Sequence, residues 1–503
     1  MLSLLIFLPF LGAGIIFLVS AAWAKRIALA FSSLMFAGGL LSLWSFHLGE
    51  KGFQFLSSWN WVPSLGISFK LGVDGLSYPL VLLTLFLGFI VTLLPFPQHQ
   101  SSPAPSGAEN TKGEHGTGLT PHDSSSTSSN ERAYWGILLL LVGAIVGVFA
   151  SLDLFVFYIF WELVLVFMFF LIMLWGGENR RYAGMKFFIY TQAASLIMLV
   201  GIIALYLYAG MHTFDLTQLE HASLPFRLQY MIMWAFLISF FVKIPAVPFH
   251  TWLPDAHVEA PTAGSVLLAG VLLKMGAYGI LRIPGTVTPD ALHSIAWGLG
   301  IFAFISIVYG ALVSLAQDNI KRLIAYSSVN HMGYALLGIA AFTPLAYQGA
   351  VYVMVSHGVL AGLLFALAGA IHDKTNTFSI AKLKGLMEKM PRLSWIFVIA
   401  ALGSMGVPAM SGFVSEFMVF AGSYSVYGGL LLIPLLGGVV VTAGYFLWTL
   451  ERVFFGKTTP EWMGLTDITQ RMAVPFVVLV AMTFFLGLYP TWLINIVRAS
   501  GFF

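Results

Sequence analysis

Fourteen apolar runs, each long enough to cross a lipid bilayer, follow one another along the chain. A hydrocarbon layer about 30 Å thick needs about 20 helical residues, and within it only helices or closed barrels satisfy their own backbone groups. The runs therefore predict an all-α polytopic membrane protein with about fourteen transmembrane helices. Their expected bounds are 1–22, 27–46, 76–96, 133–150, 152–175, 185–209, 228–249, 262–283, 291–314, 322–341, 347–370, 393–422, 427–455 and 470–495.

The composition agrees with a protein that lies almost wholly in lipid. Of 503 residues, 59% are hydrophobic and only 9% are charged, which is too little charge for a soluble globule of this size. The net charge of +3 and the lack of a glycine-rich phosphate loop argue against nucleic-acid binding. The absence of cysteine excludes cysteine-ligated iron–sulfur clusters and disulfides. The first run lacks a basic segment before it, so we expect a retained helix rather than a signal peptide.

Lysine and arginine counts predict the orientation. If the N-terminus faces outward, seventeen of these residues fall in inward loops and five in outward regions, and two lysines remain in the membrane. Positive charge concentrates on the inner side. We therefore expect both termini on the outer, periplasmic or lumenal side.

Two segments interrupt the apolar pattern. Residues 47–75 form an expected outward loop with a short strand or hairpin. Residues 97–132 are rich in Ser, Gly, Pro and Thr, which predicts a flexible inward loop. His99, His115 and His122 lie in that loop. The loop is interpreted as a solvated linker or, alternatively, as a metal site formed by these histidines.

The runs also predict an internal repeat. Runs four to eight (133–283) and nine to thirteen (291–455) each hold five helices, and an odd number inverts the second set relative to the first. Residues 1–96 form three N-terminal helices and 456–503 the C-terminal helix. The fourth member of each set carries prolines, Pro245 and Pro248 in helix seven and Pro408 in helix twelve. Paired interruptions of this kind point to transport sites near the membrane midplane.

Six ionisable residues lie deep within the predicted spans, away from their ends, where a lysine costs about 2.5 to 3.5 kcal/mol on insertion scales. Acids, amines and imidazoles with closely matched proton affinities could form a proton relay. In this reading a movable Glu162–Lys243 pair acts as a switch, because Lys243 holds its proton only while the carboxylate is near. The six residues are Glu162, Lys243, Lys274, His331, His357 and Glu416.

Structural alternatives exist for each group. The acids and Lys243 could form static ion pairs, Lys274 could extend toward the surface, and the histidines could bond across helices. Asp74 could cap a helix or mark an outward surface. Four hairpin residues could bind a metal, cap helices or admit protons; they are His250, Asp255, His257 and Glu259.

Several long motifs resemble the antiporter-like subunits of respiratory complex I and its relatives, in the NuoM/NdhD branch. They are FWELVLVFMFFLIMLWGGENRRYAGMKFFIYT, FHTWLPDAHVEAPTAGSVLLAGVLLKMGAYG, SLAQDNIKRLIAYSSVNHMGY and SGFVSEF. Glu416 favours this branch, since lysine is expected there in the related subunits. The resemblance implies that Glu162 pairs with Lys243, that Lys274 is the central lysine, that His331 and His357 connect it onward, and that Glu416 is the exit residue.

The resemblance also implies a function. The chain would be a non-redox, proton-translocating subunit of an NAD(P)H- or ferredoxin-driven quinone oxidoreductase. It would bind no cofactor itself, with iron–sulfur clusters and quinone elsewhere in the complex. Its expected partners are NuoL/NdhF-like and NuoN/NdhB-like subunits and lipid, in a bacterial plasma membrane or a thylakoid membrane. The alternatives are a cation/proton antiporter subunit of the Mrp type and a structural anchor.

Overall fold

The computed structural model describes residues 1–97 and 122–501, and helices dominate it. A helix lies over each of the fourteen predicted runs. By length and hydropathy, ten described helical segments could each cross a membrane. Three further apolar helices are shorter: Leu2–Leu18, Ser77–Leu93 and Pro391–Ser404. The helical polytopic architecture is confirmed, while the exact number of fourteen spans stays a prediction.

The N-terminal part combines three helices with a β-hairpin. Its elements are α1 (Leu2–Leu18), α2 (Ala21–Ser45), β1 (Gln54–Val62), β2 (Ile67–Val73) and α3 (Ser77–Leu93). The strands pair antiparallel, with Trp59 opposite Phe69. Gly66 starts the return at φ +67°, a conformation that favours glycine. The expected hairpin in 47–75 is therefore confirmed, and it is a small departure from an all-α chain.

The first predicted set of five helices contains eight helical pieces. They are α4 (His122–Ala150), α5 (Leu154–Trp175), α6 (Arg180–Tyr208), α7 (Leu216–Leu219), α8 (Phe226–Lys243), α9 (Leu253–Glu259), α10 (Thr262–Leu267) and α11 (Leu273–Arg282). A π-helical turn, Leu268–Leu272, joins α10 to α11. The sequence predicts a loop for residues 122–132. In the structure they form the first turns of α4, which begins at His122. Residues 98–121, with His99 and His115, lie outside the described part.

The second set and the C-terminal end contain twelve helical pieces. They are α12 (Pro284–Val287), α13 (Pro289–Ser294), α14 (Ala296–Leu315), α15 (Ile320–Ala340), α16 (Pro344–Thr375), α17 (Leu386–Lys389), α18 (Pro391–Ser404), α19 (Ser411–Tyr427), α20 (Leu432–Pro434), α21 (Val441–Phe454), α22 (Gln470–Leu488) and α23 (Pro490–Arg498). A second π-helical turn, Leu435–Val440, joins α20 to α21.

Both predicted helix breaks are present. Helix α8 ends at Lys243 and the chain resumes as α9 at Leu253, because the prolines between them remove backbone donors. Helix α18 ends at Ser404 and α19 begins at Ser411. The fifth member of each set carries a π-helical turn, at 268–272 and 435–440. Matching irregularities in matching members support the predicted repeat.

The helical segments that carry Lys274 and His357 lie at the centre of the bundle. The hydrophobic windows of 262–287 and 344–375 are completely buried, whereas those of α2 and α22 are 28% buried. Asp74 lies in this interior at 1% exposure, where it accepts from the Ser77 amide at 3.0 Å and pairs with Arg282. It therefore caps the start of α3 within the protein and does not mark a surface.

Helices α8 and α11 touch at Gly276. A Cβ atom built at this glycine would lie 2.6 Å from the Phe240 carbonyl oxygen and 2.7 Å from the Ile244 nitrogen. Both neighbours are backbone atoms, so neither can rotate away. This contact fixes the spacing of the two helix segments that carry Lys243 and Lys274.

We predict that Gly276→Ala destabilises the subunit, because overpacking in a close contact costs about 1–3 kcal/mol. Thermal unfolding of the purified membrane protein should show a lower midpoint. Gly298→Ala is the matched control, since no atom lies within 4 Å of a Cβ at that helical position. Equal midpoints for the two variants would contradict the assigned contact.

Candidate functional site

Lys274 is the most enclosed charge of the candidate site. Its side chain is completely buried, in the first turn of α11 directly after the π-helical turn. The ammonium nitrogen donates to the Ala269 carbonyl oxygen, five residues earlier, and lies 2.8 Å from His357 Nδ1. A π-helical turn disturbs the usual pairing of backbone carbonyls, so the local irregularity supplies an acceptor for the buried amine.

His357 and His331 follow Lys274 in a series of neighbouring ionisable side chains. The ring centroids of His357 and His331 are 5.5 Å apart. His331 Nδ1 lies 2.7 Å from the Ser327 carbonyl oxygen, and its Nε2 lies 3.0 Å from the Ser404 carbonyl oxygen. A neutral imidazole has one N–H and can donate to one of these acceptors, whereas the imidazolium donates to both. Each ring nitrogen of His331 therefore has a carbonyl acceptor, whichever of the two carries the proton.

Glu416 completes this group of residues. One carboxylate oxygen lies 3.9 Å from His331 Nε2, and the residue is 8% exposed. A Cβ at Gly406 would lie 2.9 Å from the other oxygen, so the broken segment between α18 and α19 leaves room for the carboxylate. A cavity of about 10 Å³ is lined by Glu416 and both histidines, which is enough for about one water molecule.

Lys243 and Glu162 are arranged differently. The Lys243 ammonium lies 5.1 Å from the centre of the Trp161 ring and 6.0 Å from that of Phe187. Its nitrogen is buried and has no hydrogen-bond partner among the described residues. Within 1–97 and 130–501 no ion pair under 4 Å joins Glu162 to Lys243, so a closed pair is absent from this arrangement. An ammonium over an aromatic face is stabilised by about 0.5–2 kcal/mol.

Glu162 faces a groove on the side of the bundle. The groove has a volume of about 310 Å³, and its lining residues are Phe155, Tyr158, Ile159, Glu162, Leu163, Val166 and Leu199. Glu162 Oε1 is buried there without a hydrogen-bond partner among the described residues. A carboxylate in so apolar a groove is costly unless another group approaches it.

The four hairpin residues do not converge on one point. Asp255 bridges Lys186 at 2.6 Å and Arg322 at 2.7 Å. Glu259 accepts from the Asn179 amide at 3.0 Å. The His250 ring packs edge-on against Tyr309. No group of three His, Asp or Glu residues able to hold a metal ion occurs in the described parts of the chain.

The structure thus brings four of the six predicted residues into one connected set: Lys274, His357, His331 and Glu416. Glu162 and Lys243 stand apart from each other, with Trp161 beside the amine. The backbones next to Lys243 and Lys274 meet at Gly276, while the two side chains diverge. The connected set can pass a proton by short steps between nitrogen and oxygen atoms.

Sequence reasoning missed three features of the site. No particular residue composition marks the π-helical turn before Lys274, so the sequence does not predict it. The aromatic contact of Lys243 could have been suspected from Trp161, which directly precedes Glu162. The sequence predicts that Lys321, like its neighbour Arg322, lies in an inward loop. In the structure it is 3% exposed and donates to the carbonyl oxygens of Val258 and Ala260 at 3.2 and 2.6 Å.

Comparisons with known proteins cover nearly the whole chain. The chain is 38% identical to the NADH-quinone oxidoreductase subunit M of Rhodobacter capsulatus, over 99% of this chain and 95% of that protein. It is 38% identical to an NAD(P)H-quinone oxidoreductase chain 4 of a Synechococcus strain, over 97% and 90%. A chain of respiratory complex I from Thermus thermophilus superposes with a TM-score of 0.86, at 27% identity, over 100% of this chain and 99% of that one.

The family comparison covers most of both predicted repeats. Residues 151–442 match the family described as NADH:quinone oxidoreductase/Mrp antiporter, transmembrane. That range contains Glu162, Lys243, the whole connected set and both broken helices. The chain therefore belongs to the NADH:quinone oxidoreductase/Mrp antiporter family of membrane subunits.

Proposed function

We propose that this chain is a proton-translocating subunit in the membrane arm of an NAD(P)H- or ferredoxin-driven quinone oxidoreductase. The observation that carries the proposal is the buried contact series from Lys274 through His357 and His331 to Glu416. Each member can gain or lose a proton, and all four are buried. The high identity to quinone oxidoreductase subunits over nearly the whole chain favours this role over the Mrp-type alternative.

A proton moves along the series in three steps. The Lys274 ammonium gives a proton to His357 Nδ1 across 2.8 Å. His357 passes a proton to His331 through the small cavity that both rings line. The Nε2 proton of His331 then turns from the Ser404 carbonyl oxygen to Glu416, 3.9 Å away. Each transfer leaves the donor neutral and ready to accept the next proton.

Glu162 and Lys243 control the entry to this series. When the carboxylate approaches, the ammonium form of Lys243 is favoured; when it withdraws, burial favours release of the proton. The structure has Lys243 over Trp161 and Glu162 in the lateral groove, which matches the withdrawn arrangement. A charge or subunit that reaches the groove would move the carboxylate and change the proton affinity of Lys243.

The rest of the proposal concerns the complex around the subunit. The subunit carries no redox cofactor, and the electron donor, iron–sulfur clusters and quinone belong to other subunits. NuoL/NdhF-like and NuoN/NdhB-like subunits are its neighbours in the membrane arm. The lysine and arginine distribution favours an orientation with both termini on the outer side; in that orientation protons enter at the hairpin and leave beyond Glu416.

We predict that Lys274→Ala lowers proton translocation during quinone reduction by about tenfold or more, since proton-transfer groups contribute about 10²–10⁴-fold. The measurement is acidification of sealed vesicles per electron transferred. Lys382→Ala, at an exposed lysine, is the matched control and should pump normally. Normal pumping by both variants would refute the role of the series.

We predict that Glu162→Gln reduces pumping while Glu162→Asp retains part of it, because only the aspartate can still stabilise the Lys243 ammonium. The same vesicle measurement applies, with Glu50→Gln at an exposed position as control. If the glutamine variant pumps like the unmodified protein, Glu162 is not the switch.

We predict that the chain copurifies with iron–sulfur and quinone-binding subunits when it is isolated gently from its own membrane. Mass spectrometry of the purified complex identifies the partners. An Mrp-type antiporter would instead lack these partners and would show a sodium-dependent pH change in vesicles. That result would replace the proposed function with the alternative.

A further inference from the structure

The helix that carries Lys274 continues as a column of polar side chains toward the end of the bundle opposite to the 250–261 hairpin. Lys274, Tyr278 and Arg282 follow one another at intervals of four residues in α11, so they lie on one face of the helix. All three are buried. The eight residues from Lys274 to Arg282 span about 12 Å. A line of polar groups therefore leads away from Lys274 in a direction that the relay toward Glu416 does not use.

A buried ion pair closes the far end of this column. The Arg282 guanidinium pairs with Asp74, and the two side chains are 4% and 1% exposed. The carboxylate also accepts from the amides of Leu76 and Ser77 at 3.1 and 3.0 Å. The Phe53 ring covers the guanidinium, with 4.9 Å between the guanidinium carbon and the ring centre. Both charges are thus held in place by several fixed contacts.

A recess open to solvent lies beyond the ion pair. Its volume is about 280 Å³, and its lining residues are Lys51, Tyr347, Gln348, Val497, Arg498 and Ser500. Two of them, Lys51 and Arg498, are exposed, so water reaches the recess. A Cβ atom at Gly75 would meet the Ser500 amide nitrogen. The backbone next to Asp74 therefore packs directly against the wall of the recess.

The Tyr278 hydroxyl is the group of the column that stands between the ion pair and Lys274. It donates to the Phe149 carbonyl oxygen at 3.3 Å and accepts from Arg282 Nε at 3.4 Å. A backbone carbonyl has no proton to give, and a guanidinium does not release its own. While Arg282 lies there, the tyrosine receives no proton from the side of the recess.

We infer that the Asp74–Arg282 pair is a seal that stops protons from returning through the recess to Lys274. The inference rests on the proposed function and adds what makes its proton transfer run in one direction. A returning proton would have to pass the guanidinium, whose positive charge repels protons at a narrow point of a path. Arg282 acts by closing this path and carries no proton itself.

The test measures passive proton flux through the intact complex in sealed vesicles without substrate. The compartment that faces the recess is made acidic, and the pH of the other compartment is followed with a dye. Arg282→Gln should leak protons several-fold faster than the unmodified complex, because the shorter, uncharged side chain admits water beside Tyr278. Arg282→Lys keeps a positive charge and should leak less than the glutamine variant. Arg227→Gln, at an exposed arginine near the start of α8, is the matched control and should remain tight.

A double variant separates the seal from a purely structural ion pair. Removing one partner of a buried pair is strongly destabilising, whereas replacing both charges by neutral groups is tolerated better. Asp74→Asn combined with Arg282→Gln keeps hydrogen-bonding groups at both positions, so this complex should assemble and should leak like the single variant. Tight vesicles with the assembled double variant would overturn the inference.

A further substitution tests the route of the leak. If returning protons reach the relay through Lys274, adding Lys274→Ala to the leaky double variant should abolish the extra flux. A leak that persists without Lys274 would show that the column is not the path, and the inference would fail.

These outcomes are distinct from those that test the proposed function. A leaky variant should pump at the normal initial rate while no pH difference exists, and it should lose only the final pH difference. If the double variant is tight while Lys274→Ala does not pump, the seal lies elsewhere and the proposed function stands. If Lys274→Ala pumps normally, the proposed function fails, and the inference that rests on it fails as well.

Discussion

The enclosure of the Lys274 ammonium is the interaction on which the rest of the structure depends. A fully buried amine needs acceptors, and among the described residues it has a backbone carbonyl oxygen and an imidazole nitrogen. Each acceptor comes from a different part of the structure. The π-helical turn presents the Ala269 carbonyl oxygen, and α16, which passes alongside, presents His357. The helical segments that carry Lys274 and His357 are therefore central, and their hydrophobic windows are completely buried.

Much of this arrangement could be predicted from the sequence. The breaks after Lys243 and Ser404 follow from proline chemistry, and the structure has both. The clustering of Lys274, the two histidines and Glu416 could be expected because ionisable residues within a membrane face the bundle interior and pair with one another. The hairpin of residues 54–73 was visible as a weak alternation. Each of these features has a local mark in the sequence: a proline, an ionisable residue within an apolar run, or an alternation of residue types.

Other features depend on how distant segments meet, and one sequence does not report them. Lys321 stands beside the exposed Arg322 and looks like a second surface charge; only the approach of the 258–260 backbone buries it. Likewise, the sequence predicts a movable Glu162–Lys243 pair but does not indicate that the amine lies over Trp161. The start of α4 at His122 was missed because its first residues resemble a polar linker.

The separation of Glu162 from Lys243 has a consequence for energy coupling. Apart from Glu162, the lateral groove is lined by apolar side chains and by Tyr158, which interacts with the carboxylate, so the groove itself supplies no cation to the carboxylate. A neighbour that covers the groove would determine whether Glu162 remains there or moves to Lys243. The proton affinity at the entry of the relay would then be set from outside the chain. In the proposed function, the displacement of this one charge at the side of the subunit would be the signal that drives proton transfer.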